Sequence, residues 1–79
     1  MNYVYILKKL NLKHIYIGFS KDLKKRIQRH KYIRPEYKLI YYEAYLSEKD
    51  ARKREKQLKQ YGSTLGHLKN RLFNTLSDA

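Results

Sequence analysis

Two short runs of β-forming residues stand close together at the start of the chain: Tyr3-Val4-Tyr5-Ile6-Leu7 and His14-Ile15-Tyr16-Ile17-Gly18-Phe19. A polar stretch around Asn11 and Lys13 separates them, which predicts an antiparallel hairpin over residues 3–7 and 14–19. Alternation then gives each strand two faces. Tyr3 and Tyr5 share one while Val4 and Ile6 take the other, and Tyr16 opposes Ile15 and Ile17.

Ser20 is placed to cap the next helix, with Asp22 in its first turn, where the helix dipole favours a carboxylate. That helix is expected over residues 21–30. Arg34-Pro35 marks a break, because proline disfavours helical geometry in the residue before it. Residues 37–45 predict a third strand. Ser47 caps a second helix over residues 48–61, with Glu48 and Asp50 in its first turn. Gly62 ends it, and Ser63 or Thr64 starts a last helix through Leu65, Leu68, Leu72 and Leu76. The order ββαβαα implies an α+β fold, a small and mostly antiparallel three-stranded sheet packed with helices. No linker, internal repeat or low-complexity segment divides the chain, so one domain is expected over residues 1–79.

Charge narrows the function. Nineteen Lys and Arg stand against seven Asp and Glu, a net +12, so the expected partner is a polyanion gripped through its phosphates. An anionic membrane surface is the rival, but no apolar run approaches the ~20 residues of a spanning helix. The start MNYVYILKKL lacks the apolar core and small-residue cleavage site of a signal peptide. The absence of cysteine excludes disulfides and Cys-ligated zinc, and fits the cytoplasm. Nine tyrosines supply much of the bulk, each with a ring that buries and a hydroxyl that needs a partner.

On a wheel of the first helix, Arg26 and His30 fall on the side of Leu23 and Ile27, one turn apart; Lys24, Lys25, Gln28 and Arg29 fall on the far side. A bland account is available for each inward residue. Arg26 can cover core with its methylenes, and His30 can satisfy the last carbonyls of its helix. On the second helix Glu55 joins the narrow stripe of Ala51 and Leu58, while Arg52, Lys53, Lys56, Lys59 and Gln60 lie outside it. A carboxylate there must be paired, hydrogen-bonded or on a metal, and Arg54 or Arg26 could serve as an ion-pair partner. Taken together, an arginine, a histidine, a carboxylate and several tyrosines facing inward form a candidate site for phosphodiester hydrolysis. Lys8, Lys9, Lys24, Lys25 and Arg29 make a solvated face that also meets phosphates. Tyr41, Tyr42, Tyr45 and Tyr61 are expected in the core or at its rim, and His14 and His67 on the surface.

These residues resemble the GIY-YIG nucleases. Tyr3-Val4-Tyr5 and Tyr16-Ile17-Gly18 correspond to that family's two tripeptides, with ten residues between Tyr5 and Tyr16; Arg26 follows ten past Tyr16, and His30 one turn later. Ala51-Arg52-Lys53-Arg54-Glu55-Lys56-Gln57-Leu58-Lys59 matches the context of the family's metal-binding glutamate. The likeness is greatest to the small stand-alone bacterial proteins related to the amino-terminal nuclease domain of the excision-repair incision subunit. Tyr3 replaces the first glycine, and Asn70, a candidate for the asparagine that many larger members use, faces away from the apolar stripe of its helix.

The resemblance implies a metal-dependent DNA endonuclease, structure-linked, acting in repair or recombination. Glu55 would hold one Mg²⁺ or Mn²⁺, Tyr5 would be the general base with its pKa lowered by the metal and by Tyr16 or His30, and Arg26 would neutralise the phosphoryl group. Tyr5, Tyr16, Arg26, His30 and Glu55 should then line one concave surface. Lys24, Lys25, Arg29, Arg52 and Lys59 would hold nucleic acid, DNA ahead of RNA. No membrane and no small-molecule substrate is expected, and the state is monomer or weak dimer. The alternatives are a non-catalytic DNA- or RNA-binding module with a vestigial site, and a basic protein for membranes or acidic partners.

Overall fold

A strand whose side chains are apolar on both faces belongs in the middle of a sheet, and the first strand is such a segment. In the computed structural model, which describes residues 1–9 and 13–78, β1 (Asn2–Lys9) is flanked by β2 (Ile15–Ser20) and β3 (Tyr37–Tyr45) in the order β2-β1-β3. Both pairings are antiparallel. β2 runs from Tyr3↔Ser20 to Lys8↔Ile15, and β3 from Asn2↔Tyr45 to Lys9↔Tyr37. The hairpin is therefore formed, although the turn expected at Asn11 lies outside the described residues.

The β1–β3 register slips at one point. Ile6 faces Tyr41 but Leu7 faces Leu39, which leaves Ile40 as an extra residue. Such a bulge breaks strict alternation. As a result Ile40 and Tyr41 both pack on the main core, while Leu39 and Tyr42 line the opposite side of the sheet.

That core lies on the Val4 and Ile6 face. α2 (Glu48–Lys59) contributes Ala51 and Leu58, and α3 (Ser63–Arg71) contributes Leu65 and Leu68, against Val4, Ile6 and Ile17. α1 (Leu23–Ile33) covers the other face, where Tyr5 lies, and none of its residues is fully buried. No helix among the described residues is long and apolar enough to cross a membrane.

The element boundaries differ from expectation in four places. Ser20 stays in the ladder opposite Tyr3, so the chain cannot turn into a helix there; its hydroxyl instead bridges the backbone of Asp22, and Asp22 caps α1 by accepting from the Lys25 amide at 3.1 Å. α1 runs past His30 to Ile33, filling the chain up to the residue before Pro35. α2 stops at Lys59, and Tyr61 rather than Gly62 takes the left-handed conformation beyond it, at φ 55°. The last helix breaks at Leu72, which stays against the core, and restarts as α4 (Phe73–Asp78). Ser47 caps α2 as expected. Lys8 does not belong to the solvated face: on a central strand it is buried, opposite Ile15 and Lys38.

The half-buried acid that sequence reasoning passed over is Glu43. It receives both Nε and Nη2 of Arg54, at 2.9 and 3.0 Å, and the hydroxyls of Tyr41, at 2.6 Å, and Tyr45. Burial raises the Glu43 pKa, but the Arg54 fork and the two hydroxyls outweigh it, so the carboxyl sits below its usual range. Burial and the same carboxylate push Tyr41 and Tyr45 up to about 12. This cluster ties β3 to α2. Glu43→Gln preserves shape and removes the charge that holds Arg54, so it should lower stability by about 1–2 kcal/mol, the scale of hydrogen bonds to a charged group at a partly exposed site. Urea unfolding at neutral pH measures this. In the parent protein the contribution is complete above the unfolded carboxyl pKa of ~4.3 and is lost as pH falls through the lower folded value. An unchanged midpoint would mean that the cluster contributes nothing.

Candidate active site

Tyr5 is fully buried at the centre of the site. It stands opposite Gly18 in the hairpin, and a β-carbon built on Gly18 would collide with the Tyr5 ring and hydroxyl. The second motif's glycine is thus required for close approach, since its backbone φ is ordinary. A buried phenol needs a partner, and His30 Nε2 lies 3.1 Å from the Tyr5 hydroxyl. The Tyr5, Tyr16 and His30 rings cluster with centroids 5.3–6.3 Å apart.

Two adjoining depressions open beside this cluster. One, of about 270 Å³, is lined by Tyr16, Arg26, Arg29, His30, Ile33 and Arg34. The other, of about 530 Å³, shares Tyr16 and Arg26 and adds Arg52 and Glu55 beside Gly18, Phe19 and Ser20 of β2. Glu55 comes from α2, on the opposite face from α1, and reaches the depression past the edge strand β2. Tyr16, Arg26, His30 and Glu55 therefore occupy neighbouring hollows. Tyr5 lines neither of them and lies beneath Tyr16 and His30, so the five do not share a single open surface.

The electrostatics follow from this burial. Loss of water raises the Tyr5 pKa, and Tyr16 raises it further; Arg26 opposes both without reversing them. The protein's own groups thus leave Tyr5 protonated, and Tyr16 acts opposite to the sense expected from the sequence. Burial lowers the His30 pKa, and Arg34, Arg26 and Arg29 reinforce the effect, so the imidazole is neutral near pH 7. Tyr5 can donate to Nε2 when the ring proton is on Nδ1.

Glu55 is paired with Lys59 at 3.1 Å, not with Arg54 or Arg26, because Glu43 holds Arg54. Among the residues expected to hold nucleic acid, Lys24, Lys25 and Arg29 are exposed on α1. Arg52 lies 4.0 Å over the Phe19 ring and bonds Glu48, and Lys59 is engaged by Glu55. Arg34 was missed: its guanidinium lies 5.5 Å from the Tyr16 ring centre. The signal was its position one helical turn after His30, overshadowed by Pro35. His14, His67 and Asn70 are exposed.

A buried tyrosine joined to a neutral histidine lies beside an arginine-lined hollow, and a carboxylate enters the adjoining depression past the edge of the sheet of this small α+β domain. The model of the family described as the GIY-YIG catalytic domain matches residues 1–70, and the chain belongs to this family, which has a nuclease-type fold. No curated protein and no solved structure matches it.

Gly18→Ala tests the central contact. The added methyl must displace the Tyr5 ring, so stability should fall by about 1–3 kcal/mol, as for other overpacked sites. The His30 pKa, followed by NMR, should move back toward ~6.5 as its burial is disturbed. Wild-type stability together with an unchanged His30 titration would show that the ring has room to spare.

Proposed function

We propose that the chain is a divalent-metal-dependent endonuclease that hydrolyses DNA phosphodiester bonds, working as one GIY-YIG-like domain over residues 1–79. The observation that carries this reading is that Arg26 and Glu55, from helices on opposite faces, line one depression with Tyr16. DNA is preferred over RNA. A structure-linked cut in cytoplasmic repair or recombination, by a monomer or weak dimer, completes the proposal.

Glu55 would hold Mg²⁺ or Mn²⁺. The described residues form no cluster of three acidic, histidine or cysteine ligands. A hard cation that takes one or two carboxylates and fills its remaining positions with water and substrate phosphate is compatible with that arrangement. When bound, the ion would polarise a phosphate oxygen and stabilise the leaving oxygen.

The protein's own groups have distinct tasks. Arg26 donates to the phosphoryl oxygens as negative charge builds on them. Arg29 and Arg34 position the neighbouring backbone. Tyr16 borders the hollow, Tyr5 lies behind it with ring centres 6.3 Å apart, and His30 Nε2 follows at 3.1 Å from the Tyr5 hydroxyl. A proton taken from the attacking water by the Tyr16 oxygen is balanced by passage of the Tyr16 proton to Tyr5 and of the Tyr5 proton to His30 Nε2. The neutral imidazole is thus the terminal base, and no phenol has to remain ionised.

The Lys59–Glu55 pair favours a second reading, a basic DNA- or RNA-binding module, because Glu55 already has a counter-charge. Glu55→Gln separates the two. It should abolish metal-dependent cleavage of nicked, flapped or branched DNA while folding persists and binding holds or tightens. Cleavage that survives the change, or unfolding as its main effect, removes Glu55 as the metal ligand.

Arg26→Ala should slow cleavage by at least ~100-fold, the scale for losing one transition-state donor. Its DNA affinity should change little, since many other cations remain. A parallel loss of affinity and rate would make Arg26 an ordinary phosphate contact.

A further inference from the structure

α1 has two basic flanks, and the candidate site uses one of them. On the other, between α1 and β3, a groove of about 610 Å³ is left open. Its floor is Tyr3, Leu39 and Tyr42, and its wall is Leu23 and Ile27. The β3 bulge brings Leu39 and Tyr42 to the same side of the sheet. Tyr42 is 53% exposed, and the Tyr3 ring supports it edge-to-face at 6.1 Å and 65°. Its free surface is therefore held in a set orientation rather than swinging in solvent.

The rim supplies the charge. Lys24 and Lys31, two turns apart and so about 10 Å along the helix, line the groove and are in no ion pair among the described residues. Asp22 is the only acid lining it among the described residues, and its Oδ1 accepts from the Lys25 amide. A supported aromatic ring between free cations suits a flat apolar group joined to phosphates. An unpaired nucleotide has that form, whereas a base within a duplex has its faces covered.

We propose that the α1–β3 groove binds a stretch of unpaired nucleic-acid strand, with one base stacked on Tyr42 and its phosphates held by Lys24 and Lys31. The inference rests on the nucleic-acid reading above but not on catalysis. α1 would then separate a strand at the Tyr16 hollow from an unpaired strand on its far side.

The test is fluorescence anisotropy in EDTA with the full chain and two labelled strands, an oligothymidylate about ten nucleotides long and an abasic strand of equal length. Tyr42→Ala should weaken oligothymidylate binding by about 5- to 100-fold, the scale of one base–aromatic stack, and leave the abasic strand unaffected. Tyr42→Phe keeps the ring and should bind as the parent does. The double variant Lys24→Ala/Lys31→Ala should weaken both strands and lower the salt slope by about 1.4, two single-strand phosphate contacts. Unchanged oligothymidylate affinity in Tyr42→Ala, or an equal loss for both strands, overturns the proposal. The nuclease reading fails separately: Tyr42-dependent binding without cleavage of any DNA refutes that reading alone, and cleavage without Tyr42-dependent binding refutes the groove alone.

Discussion

The Tyr5 ring occupies the space that a side chain on Gly18 would need, and the site is arranged around that contact. It joins the two halves of the hairpin directly. It also leaves a phenol hydroxyl out of water, and a buried hydroxyl without a partner is costly. His30 provides the partner, which fixes where the C-terminal half of α1 can lie. With His30 so placed, Arg26 one turn earlier and Arg34 one turn later both border the hollow under Tyr16. One packing event therefore positions an imidazole and two arginines.

The distribution of ion pairs divides the helices by task. On α2, Arg52 bonds Glu48, Arg54 bonds Glu43 and Lys59 bonds Glu55. None of the α1 cations is in an ion pair among the described residues. Glu43 and Glu48 hold α2 in place, Asp22 caps α1, and Glu55 lines the depression. α1 carries five Lys and Arg and no acid, on both sides of its ridge, whereas α2 mixes its cations with three acids of its own.

Much of this was legible from period alone. Alternation placed Tyr5 and Tyr16 on the side opposite Val4, Ile6 and Ile17, and the helical wheel turned Arg26, His30 and Glu55 toward the protein. Period says which way a side chain points and not how deep it lies, so the sealing of Tyr5 and the consequent rise in its pKa were not visible. Glu43 was hidden because a carboxylate in a strand has no local signature; its meaning came from Arg54, eleven residues away in sequence, and from the tyrosines that alternate with it. The bulge at Ile40, the turn made by Ser20 and Asp22, and the break at Leu72 depend on register and tertiary contact, which residue types do not encode locally.

α1 docks with no fully buried residue, while like charges crowd along it. Few apolar contacts put an element at the low end of the range of local stabilities, and mutual repulsion lowers it further. A polyanion lying along this helix relieves that repulsion and adds its binding free energy to the folded form only. A helix held by so few buried contacts is one whose order a bound polyanion would reinforce.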